Sequence, residues 1–362
     1  MKSKSARLQS MPLTLLAAAA IMAAASSSAI AAEGRGQRYS PGVGGSDMTS
    51  LLVPGWYGQV AMVHYHATKL KGNDGKDVSV ATAGTQATPL GTRPYTANFD
   101  RVRTDTYAVL PRITYLSTTQ VFGANLGFTA MLPIVKRQNS FEPNVTLGGA
   151  ALPGPVATAV RDGLSQGIRD RLNRETSGIG DLELSPVLHW ELGDNQAITF
   201  APTVVLPTGN YDDAKSVNAG FGDFYTFRPS VQYGYIGDGW DVGARVVLSF
   251  NTRNKDTDYK SGNMFNLDFQ LMKFVTEDLR LGVQGYVVRQ ISDDSSDRAA
   301  DQAVIDALDG SRMRTYALGP ALAWIKNGGE MMIEGKLLRE FGSRNRTEGT
   351  AYWLTISKPF GL

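Results

Sequence analysis

The side chains best suited to catalysis or metal binding in this chain are its three histidines, because it contains no cysteine. His64, His66 and His189 lie on the strand parity that we expect to face inward. A serine nucleophile would need a histidine base within hydrogen-bond reach, and no serine motif accompanies any of the three. His64 and His66 could share a metal ion, but the sequence specifies no third ligand. We therefore expect polar lining, with no catalytic residue, metal or cofactor.

A larger set of charged and polar side chains alternates with apolar residues. Charged groups in a narrow protein interior must be paired, so a structural network is one interpretation of this set, and contact with a passing solute is the other. The two interpretations are compatible. The predicted lumen and solute-path residues are Arg112, Asp181, Glu183, His189, Arg228, Gln232, Asp241, Arg245, Asn251, Asp268, Gln284, Glu334, Lys336 and Glu340.

The alternation itself predicts β-strands. After Trp240, Val242 and Val246 take one parity while Asp241 and Arg245 take the other, so the strand has one apolar and one polar face. Twelve such segments lie at about 57–69, 104–116, 120–135, 179–191, 196–206, 223–236, 240–252, 263–274, 279–291, 312–325, 330–341 and 350–360.

The links between these segments alternate between short and long. Short links, such as Ser117–Thr119 and Gly237–Gly239, alternate with long ones, such as 136–178 and 207–222. An antiparallel outer-membrane barrel with short periplasmic turns and long extracellular loops requires this alternation. We therefore expect both termini on the periplasmic side.

Aromatic residues at both ends of the apolar faces favour a membrane barrel over a soluble sandwich. Tyr107 and Tyr115 bracket one such face, and Tyr316 and Trp324 bracket another. Eight residues rising about 3.3 Å each at a tilt of about 40° span roughly 20 Å, close to an apolar band of about 25 Å. The predicted fold class is all-β: a twelve-stranded antiparallel transmembrane outer-membrane β-barrel with a narrow or partly plugged lumen.

Mid-strand prolines and two long links add detail to this prediction. Pro111, Pro186, Pro202, Pro229 and Pro320 lack the N–H that a ladder needs, so we expect bulges or locally opened pairing there. The links 136–178 and 292–311 carry helical patterns. Apolar residues recur at every fourth position in the first link, and the second contains the run Ala299 to Leu308; the recurring residues are Val160, Leu164, Ile168 and Leu172.

The N-terminus predicts export. Residues 1–31 combine a basic start, an apolar run and the Ala29-Ile30-Ala31 cleavage pattern, which is typical of a signal peptide. Its removal changes the charge balance from 36 cations and 34 anions to 33 and 34, so the mature chain is nearly neutral and is not a strongly basic nucleic-acid binder. We predict that residues 32–55 lie on the periplasmic side, tucked into or under a barrel formed by residues 56–362.

Several motifs together resemble the meta-pathway phenol-degradation family, the SphA-like outer-membrane proteins. They are Thr176-Ser177-Gly178-Ile179-Gly180-Asp181, Leu206-Pro207-Thr208-Gly209, Thr226-Phe227-Arg228-Pro229-Ser230, Phe250-Asn251-Thr252, Asp256 to Gly262, Gly285-Tyr286 with Gln290, Leu318-Gly319-Pro320-Ala321, and Arg339-Glu340-Phe341 with Glu348-Gly349. The resemblance implies an outer-membrane barrel linked to the catabolism of aromatic compounds, which passes small hydrophobic molecules.

The functional expectation is therefore an outer-membrane channel for small hydrophobic or aromatic compounds. Its expected partners are outer-membrane lipid and lipopolysaccharide, the solute itself and the outer-membrane assembly machinery. Two alternatives remain open at this point: a phospholipase-like barrel enzyme, and a structural barrel without transport. In the channel, small molecules would enter between loops 136–178 and 292–311, and lumen arginines would hold a phenolate or carboxylate transiently.

Overall fold

The computed structural model describes residues 37–49, 52–78, 82–215, 217–326 and 329–360. The predicted signal peptide, residues 1–31, lies outside the described residues. In chain order the strands are β1 (Gly55–Lys71), β2 (Thr82–Gln86), β3 (Arg93–Val121), β4 (Ala124–Met131), β5 (Ile134–Leu147), β6 (Arg174–Ile179), β7 (Glu183–Glu191), β8 (Gln196–Val205), β9 (Thr226–Gly237), β10 (Trp240–Asn251), β11 (Tyr259–Lys260), β12 (Met264–Phe274), β13 (Leu279–Gln290), β14 (Ser295–Ser296), β15 (Arg314–Lys326), β16 (Met331–Arg344) and β17 (Arg346–Phe360). The α-helices are α1 (Gly154–Leu172) and α2 (Ala299–Ala307).

Twelve strands form a closed antiparallel wall, which confirms the predicted fold class. Their order is β1, β17, β16, β15, β13, β12, β10, β9, β8, β7, β4 and β3, and β3 pairs again with β1. At the seam Trp56 lies opposite Phe360 on one side and Tyr115 on the other. Closure leaves the wall no edge, so its backbone groups can be satisfied within the membrane.

The wall has an apolar outer face with aromatic residues at both ends. Leu318 and Leu322 are exposed on this face. At the end that carries the short links, which we call the turn end, the ring centroids of Trp56 and Tyr115 are 4.7 Å apart. At the opposite end, which we call the loop end, the ring centroids of Tyr316 and Phe341 are 5.8 Å apart. Neither helix in the described residues combines the length and apolar character needed to cross a membrane.

The wall strands extend further at the loop end than the sequence predicted. β5 and β6 occupy much of the predicted loop 136–178, and β3 already begins at Arg93. Only Asn345 separates β16 from β17 where a loop over 342–349 was predicted; its φ of 51° is a conformation that asparagine tolerates well. These extensions are rich in polar residues beyond the apolar band, so apolar periodicity could not detect them.

Both predicted loop helices are present. α1 contains the predicted apolar stripe, and Ile168 and Leu172 on it pack against buried Leu70 and Val102. α2 buries Ile305. Because α1 covers the loop ends of β1 and β3, it forms part of the barrel mouth rather than a free loop.

The mid-strand prolines interrupt strand pairing at only some of the positions where we expected bulges or opened pairing. Pairing between β7 and β8 is interrupted around Pro186, and pairing between β15 and β16 is interrupted around Pro320. Pro202 and Pro229 instead lie opposite each other in unbroken register, and Pro111 stays in register with β1. Two facing prolines place both missing N–H donors at a single point of the ladder.

A buried carboxyl group joins the loops at the mouth. Asp294 accepts hydrogen bonds from the Tyr259 hydroxyl at 2.5 Å, the Gly262 N–H at 2.7 Å and Gln290 Nε2 at 2.8 Å. Burial raises the pKa of Asp294 from 3.8 to about 6, although these hydrogen bonds act in the opposite direction.

Single cysteine substitutions should report the topology, because the chain has no native cysteine. Ser140→Cys on β5 and Asp213→Cys in the loop before β9 should react with a membrane-impermeant maleimide on intact cells. Asp238→Cys, in the turn between β9 and β10, should react only after the cells are broken. Labelling of Asp238→Cys on intact cells would contradict the predicted orientation.

The raised pKa of Asp294 predicts that the loop cluster is more stable in acid. The folded-state pKa lies above the unfolded value, so this stability is complete below about pH 4 and is lost as the pH rises through about 6. Amide hydrogen exchange at residues 259–262, corrected for the intrinsic rate, should be slower at about pH 5 than at about pH 7.5. Asp294→Asn should abolish this difference; its persistence in that variant would assign the effect to another group.

Candidate functional site

The lumen contains an N-terminal segment that crosses it. We call residues 37–49 the plug segment. Tyr39, Val43 and Met48 are buried within the barrel. Glycines permit the close approach: Gly42 has a φ of 83°, and a Cβ at Gly45 would lie only 2.0 Å from Glu334 Oε1. Residues 32–36, 50 and 51 lie outside the described residues, so the structure describes only part of the predicted 32–55 segment.

Asp268 is the first anchor for the plug segment. It projects inward from β12 and accepts hydrogen bonds from the Tyr39 hydroxyl at 2.7 Å, the Gly42 N–H at 3.0 Å and the Gly44 N–H at 2.9 Å. The carboxylate is fully buried. Three donors from the plug segment therefore satisfy most of its acceptor capacity.

A pair of charges on β16 is the second anchor. Glu334 accepts a hydrogen bond from the Ser46 N–H at 2.8 Å, and Lys336 Nζ donates one to the Gly44 carbonyl at 2.6 Å. The two charged groups also lie 3.3 Å apart, and Gln284 hydrogen-bonds to both. Each charge is thus paired both with the wall and with the plug segment, as a dry interior requires.

Asp47 is the third anchor, and it connects opposite sides of the barrel. Its Oδ2 lies 2.7 Å from Nη2 of Arg112 on β3 and 3.0 Å from Nη2 of Arg245 on β10. Gln59 and Gln232 hydrogen-bond to these same arginines. One plug carboxylate therefore neutralises two wall cations.

Arg38 fixes the loop-end side of the plug segment. Its Nε lies 2.9 Å from Asp181 Oδ2, while its other guanidinium nitrogens donate to the carbonyls of Phe224 and Gly222. The guanidinium carbon also lies 3.7 Å from the centroid of the Phe224 ring, a cation–π geometry. Arg38 thus links the plug segment to the two loops that follow β6 and β8.

Every predicted lumen residue lies among the described residues, and nine of them contact the plug segment. These nine are Arg112, Asp181, Arg228, Gln232, Asp241, Arg245, Asp268, Glu334 and Lys336. Asp241 also pairs with Arg280 and Gln270. The other five have wall or loop partners: Glu183 with Arg228, His189 with Thr199, Asn251 with Thr226, Gln284 with Gln270, and Glu340 with Tyr65, Tyr286 and Arg346.

The predicted lumen arginines pair with Asp47 and Glu183. Asp241 instead pairs with Arg280 of β13, and Asp268 binds the plug segment. Arg38 and Asp47 were not among the predicted lumen residues, although both form ion pairs there. The one signal in the sequence was that two charged residues lie in a short segment that contains Gly42, Gly44 and Gly45.

The parity prediction for two histidines is wrong. Gln59 and Tyr65 contact lumen partners, so the even-numbered residues of β1 face outward. His64 accordingly stacks on the outer-face residue Tyr107, with ring centroids 4.2 Å apart. Apolar residues occur on both parities of this strand, so the alternation was ambiguous. His189 does face inward and is buried, with its Nδ1 2.9 Å from Thr199 Oγ1.

The plug segment lies between two cavities of the described lumen, one at each end. Tyr39 and Ser40 line both cavities, so this part of the segment lies between them. The loop-end cavity has a volume of about 340 Å³, and its wall is rich in apolar and aromatic side chains, including Val102, Phe141 and Trp353. The turn-end cavity has a volume of about 490 Å³ and carries hydroxyl, amide and arginine groups.

Comparison with known proteins adds a family and a fold. The family model described as "Putative MetA-pathway of phenol degradation" matches residues 73–356, most of the chain, as the resemblance predicted. No curated protein matches the chain. An outer-membrane channel from Pseudomonas putida F1 is similar in fold, with a TM-score of 0.63 and 16% identity, covering 88% of this chain and 100% of that one. The toluene transporter TodX from P. putida matches with a TM-score of only 0.37 and 10% identity, over 91% and 97% of the two chains.

Removal of the Asp47 charge should release the plug segment without unfolding the barrel. Asp47→Asn leaves Arg112 and Arg245 without their shared carboxylate, and breaking a buried pair in this way costs about 3–5 kcal/mol. Single-channel conductance in planar bilayers should rise, while heat-modifiable gel mobility should still report a folded barrel. Asp74→Asn, in the exposed loop after β1, is the matched control and should conduct as the wild type does. Equal conductance in all three proteins would show that Asp47 does not hold the lumen closed.

Proposed function

The chain belongs to the MetA-pathway phenol-degradation family, and from that premise we propose that it is an outer-membrane channel for small hydrophobic or aromatic compounds of the phenol type. The observation that carries the proposal is a cavity at the loop end that is lined by apolar and aromatic side chains together with charged ones, and that is separated from the turn end by a plug segment held through polar contacts. In this proposal the loop end faces the outside and the turn end faces the periplasm.

The loop-end cavity suits an apolar solute of one aromatic ring. An apolar cavity of about 150 Å³ is known to accept benzene, and this cavity has a volume of about 340 Å³. Val63, Leu110 and Trp353 line it. Burial of a ring against these side chains gains about 25 cal/mol for each Å² of apolar surface removed from water.

The turn-end cavity suits the polar end of the same molecule. Arg112, Arg228 and Arg245 reach into it alongside Thr199 and Ser230. These groups can hydrogen-bond a phenolic hydroxyl, a phenolate or a carboxylate, so they are the wall groups that we propose as solute contacts. A solute that crosses the barrel would pass from the loop-end cavity to the turn-end cavity only when the plug segment moves.

The same proposal places the protein in the outer membrane, where it would contact lipid. The predicted signal peptide would deliver it across the inner membrane, and the assembly machinery would insert it into the outer membrane. The apolar outer face would then contact lipid and the lipid portion of lipopolysaccharide.

A second route is sideways into the membrane, and one observation favours it. The loop-end cavity reaches Pro133 and Gly180, where the runs β4–β5 and β6–β7 are both interrupted. The Gly180 N–H donates to the Pro133 carbonyl at 2.7 Å and closes this position. A solute that left here would bypass the plug segment.

We propose no enzymatic activity. In the described chain His189 has a threonine as its hydroxyl partner, and His64 and His66 both contact Asp105, so no serine is paired with a histidine. Lipid hydrolysis by the refolded protein that disappears in His189→Ala would support the phospholipase-like alternative. A structural barrel without transport predicts no change in permeability on deletion.

A reversible disulfide across the plug contact should separate the two routes. A Cβ placed at Gly243 would lie 3.2 Å from Met48 Cβ, slightly below the range of about 3.5–4.5 Å usual for disulfides. Met48→Cys with Gly243→Cys should therefore lock the plug segment to β10. Thr49→Ser in the same background removes the methyl group that would lie 2.8 Å from the new Cβ.

The readout is uptake of radiolabelled phenol, toluene and benzoate by a deletion strain that expresses each variant. We expect the oxidised double-cysteine variant to lose uptake and reductant to restore it, with the two single-cysteine variants unaffected. Normal uptake by the oxidised variant would contradict passage through the lumen and favour the sideways route. Equal uptake with and without the protein would favour the structural barrel.

A further inference from the structure

Two histidines and an aspartate converge on the outer face of the barrel. His64 Nε2 lies 3.1 Å from Asp105 Oδ1, and His66 Nδ1 lies 2.8 Å from the same oxygen. One donor atom from each residue lies within 4.8 Å of both others. This is the third ligand that the sequence could not specify.

The register between β1 and β3 brings these three residues together. His66 lies directly opposite Asp105 in the β1–β3 ladder, and His64 lies opposite Tyr107, two positions towards the turn end. All three ligands share one face because residues two apart on a strand point the same way. The Tyr107 ring, stacked at an interplanar angle of 5°, fixes the plane of the His64 imidazole.

The donor atoms have the spacing that a small dication needs. Zinc binds imidazole nitrogen and carboxylate oxygen at about 2.0–2.2 Å, so two ligands of a tetrahedral site lie roughly 3.3 Å apart. The two histidine–aspartate distances, 3.1 and 2.8 Å, are within about 0.5 Å of that value, and the donor atoms of the two histidines lie within 4.8 Å of each other. An ion placed between the three groups would leave at least one coordination position open to water.

Arg103 supplies the outer support of the site. Its Nε lies 2.5 Å from Asp105 Oδ2, which leaves Oδ1 directed at the histidines. Metal-binding carboxylates are commonly hydrogen-bonded in this way. The Arg103 side chain is 57% exposed, so its head group can move away from an incoming cation.

The location is accessible from the aqueous side. His66 lies ten residues beyond Trp56 at the turn end, which at about 3.3 Å per residue and a tilt of about 40° places it roughly 25 Å higher, at the edge of the apolar band. The His64 and His66 side chains are 35% and 37% exposed. The cluster is therefore at the level of lipid head groups rather than of hydrocarbon.

We propose that His64, His66 and Asp105 form a binding site for one transition-metal dication of the zinc class. The site joins β1 to β3, and β1 is the strand that closes the barrel against β17. A bound ion would clamp the β1–β3 pairing at its loop end. This inference is independent of the proposed transport function.

Metal binding to the refolded, detergent-solubilised protein tests the proposal directly. Titration calorimetry with Zn²⁺ should show one site per chain, and Co²⁺ should give visible d–d absorption bands that Zn²⁺ removes. His66→Gln and Asp105→Asn should each weaken the Zn²⁺ affinity by about tenfold or more. His189→Gln, which alters the buried histidine of the lumen, should leave the Zn²⁺ affinity unchanged.

Heat-modifiable gel mobility shows which variants fold. If Asp105→Asn does not fold, His64→Gln takes its place as the second ligand variant in the titration. The proposal is overturned if the wild type shows no stoichiometric site, which would leave only ion pairs between the histidines and Asp105. It is equally overturned if folded His64→Gln and His66→Gln bind Zn²⁺ as tightly as the wild type, or if His189→Gln loses as much affinity as they do.

Discussion

The need to pair charge inside a closed barrel governs the arrangement of this molecule. A charge left unpaired in a buried site costs several kcal/mol. Arg112 and Arg245 project into the lumen from opposite sides, and among the described residues neither forms an ion pair with a carboxylate of the wall. Asp47 of the plug segment pairs with both through one oxygen atom. The wall therefore depends on the plug segment for its electrostatic balance as much as the plug segment depends on the wall for its position.

The barrel itself could be predicted from the sequence because its causes are local. A strand with one lipid face and one lumen face must alternate, and antiparallel strands joined at two different ends must have links of two kinds. Both the alternation and the two kinds of link can be recognised in a single sequence. The parts that could not be predicted lack such a signal: β5 and β6 are polar extensions, and the pairing of Asp47 with Arg245 spans 198 positions of sequence.

The candidate site shows the same division. Parity placed residues such as Asp268 and Lys336 in the lumen, because an inward position depends only on the residue's own strand. Their partners depend on which strands face each other across the lumen, and the alternation along one strand carries no information about that arrangement. His64 shows how the parity prediction can fail. Apolar side chains occur on both faces of β1, so the alternation does not identify the face that points into the lumen.

The chemistry of the plug contacts constrains how the lumen can open. Asp47 occupies the position between Arg112 and Arg245 that an anionic solute would favour, so a phenolate or carboxylate could replace its charge as the plug segment leaves. A neutral ring could not, and its passage would leave both guanidiniums to be solvated by water that enters with it. The Asp268 and Glu334 contacts act on backbone N–H groups and exert no such discrimination. In the proposed channel, discrimination between charged and neutral aromatics would therefore be concentrated at Asp47, and the remaining anchors would set how often the plug segment moves.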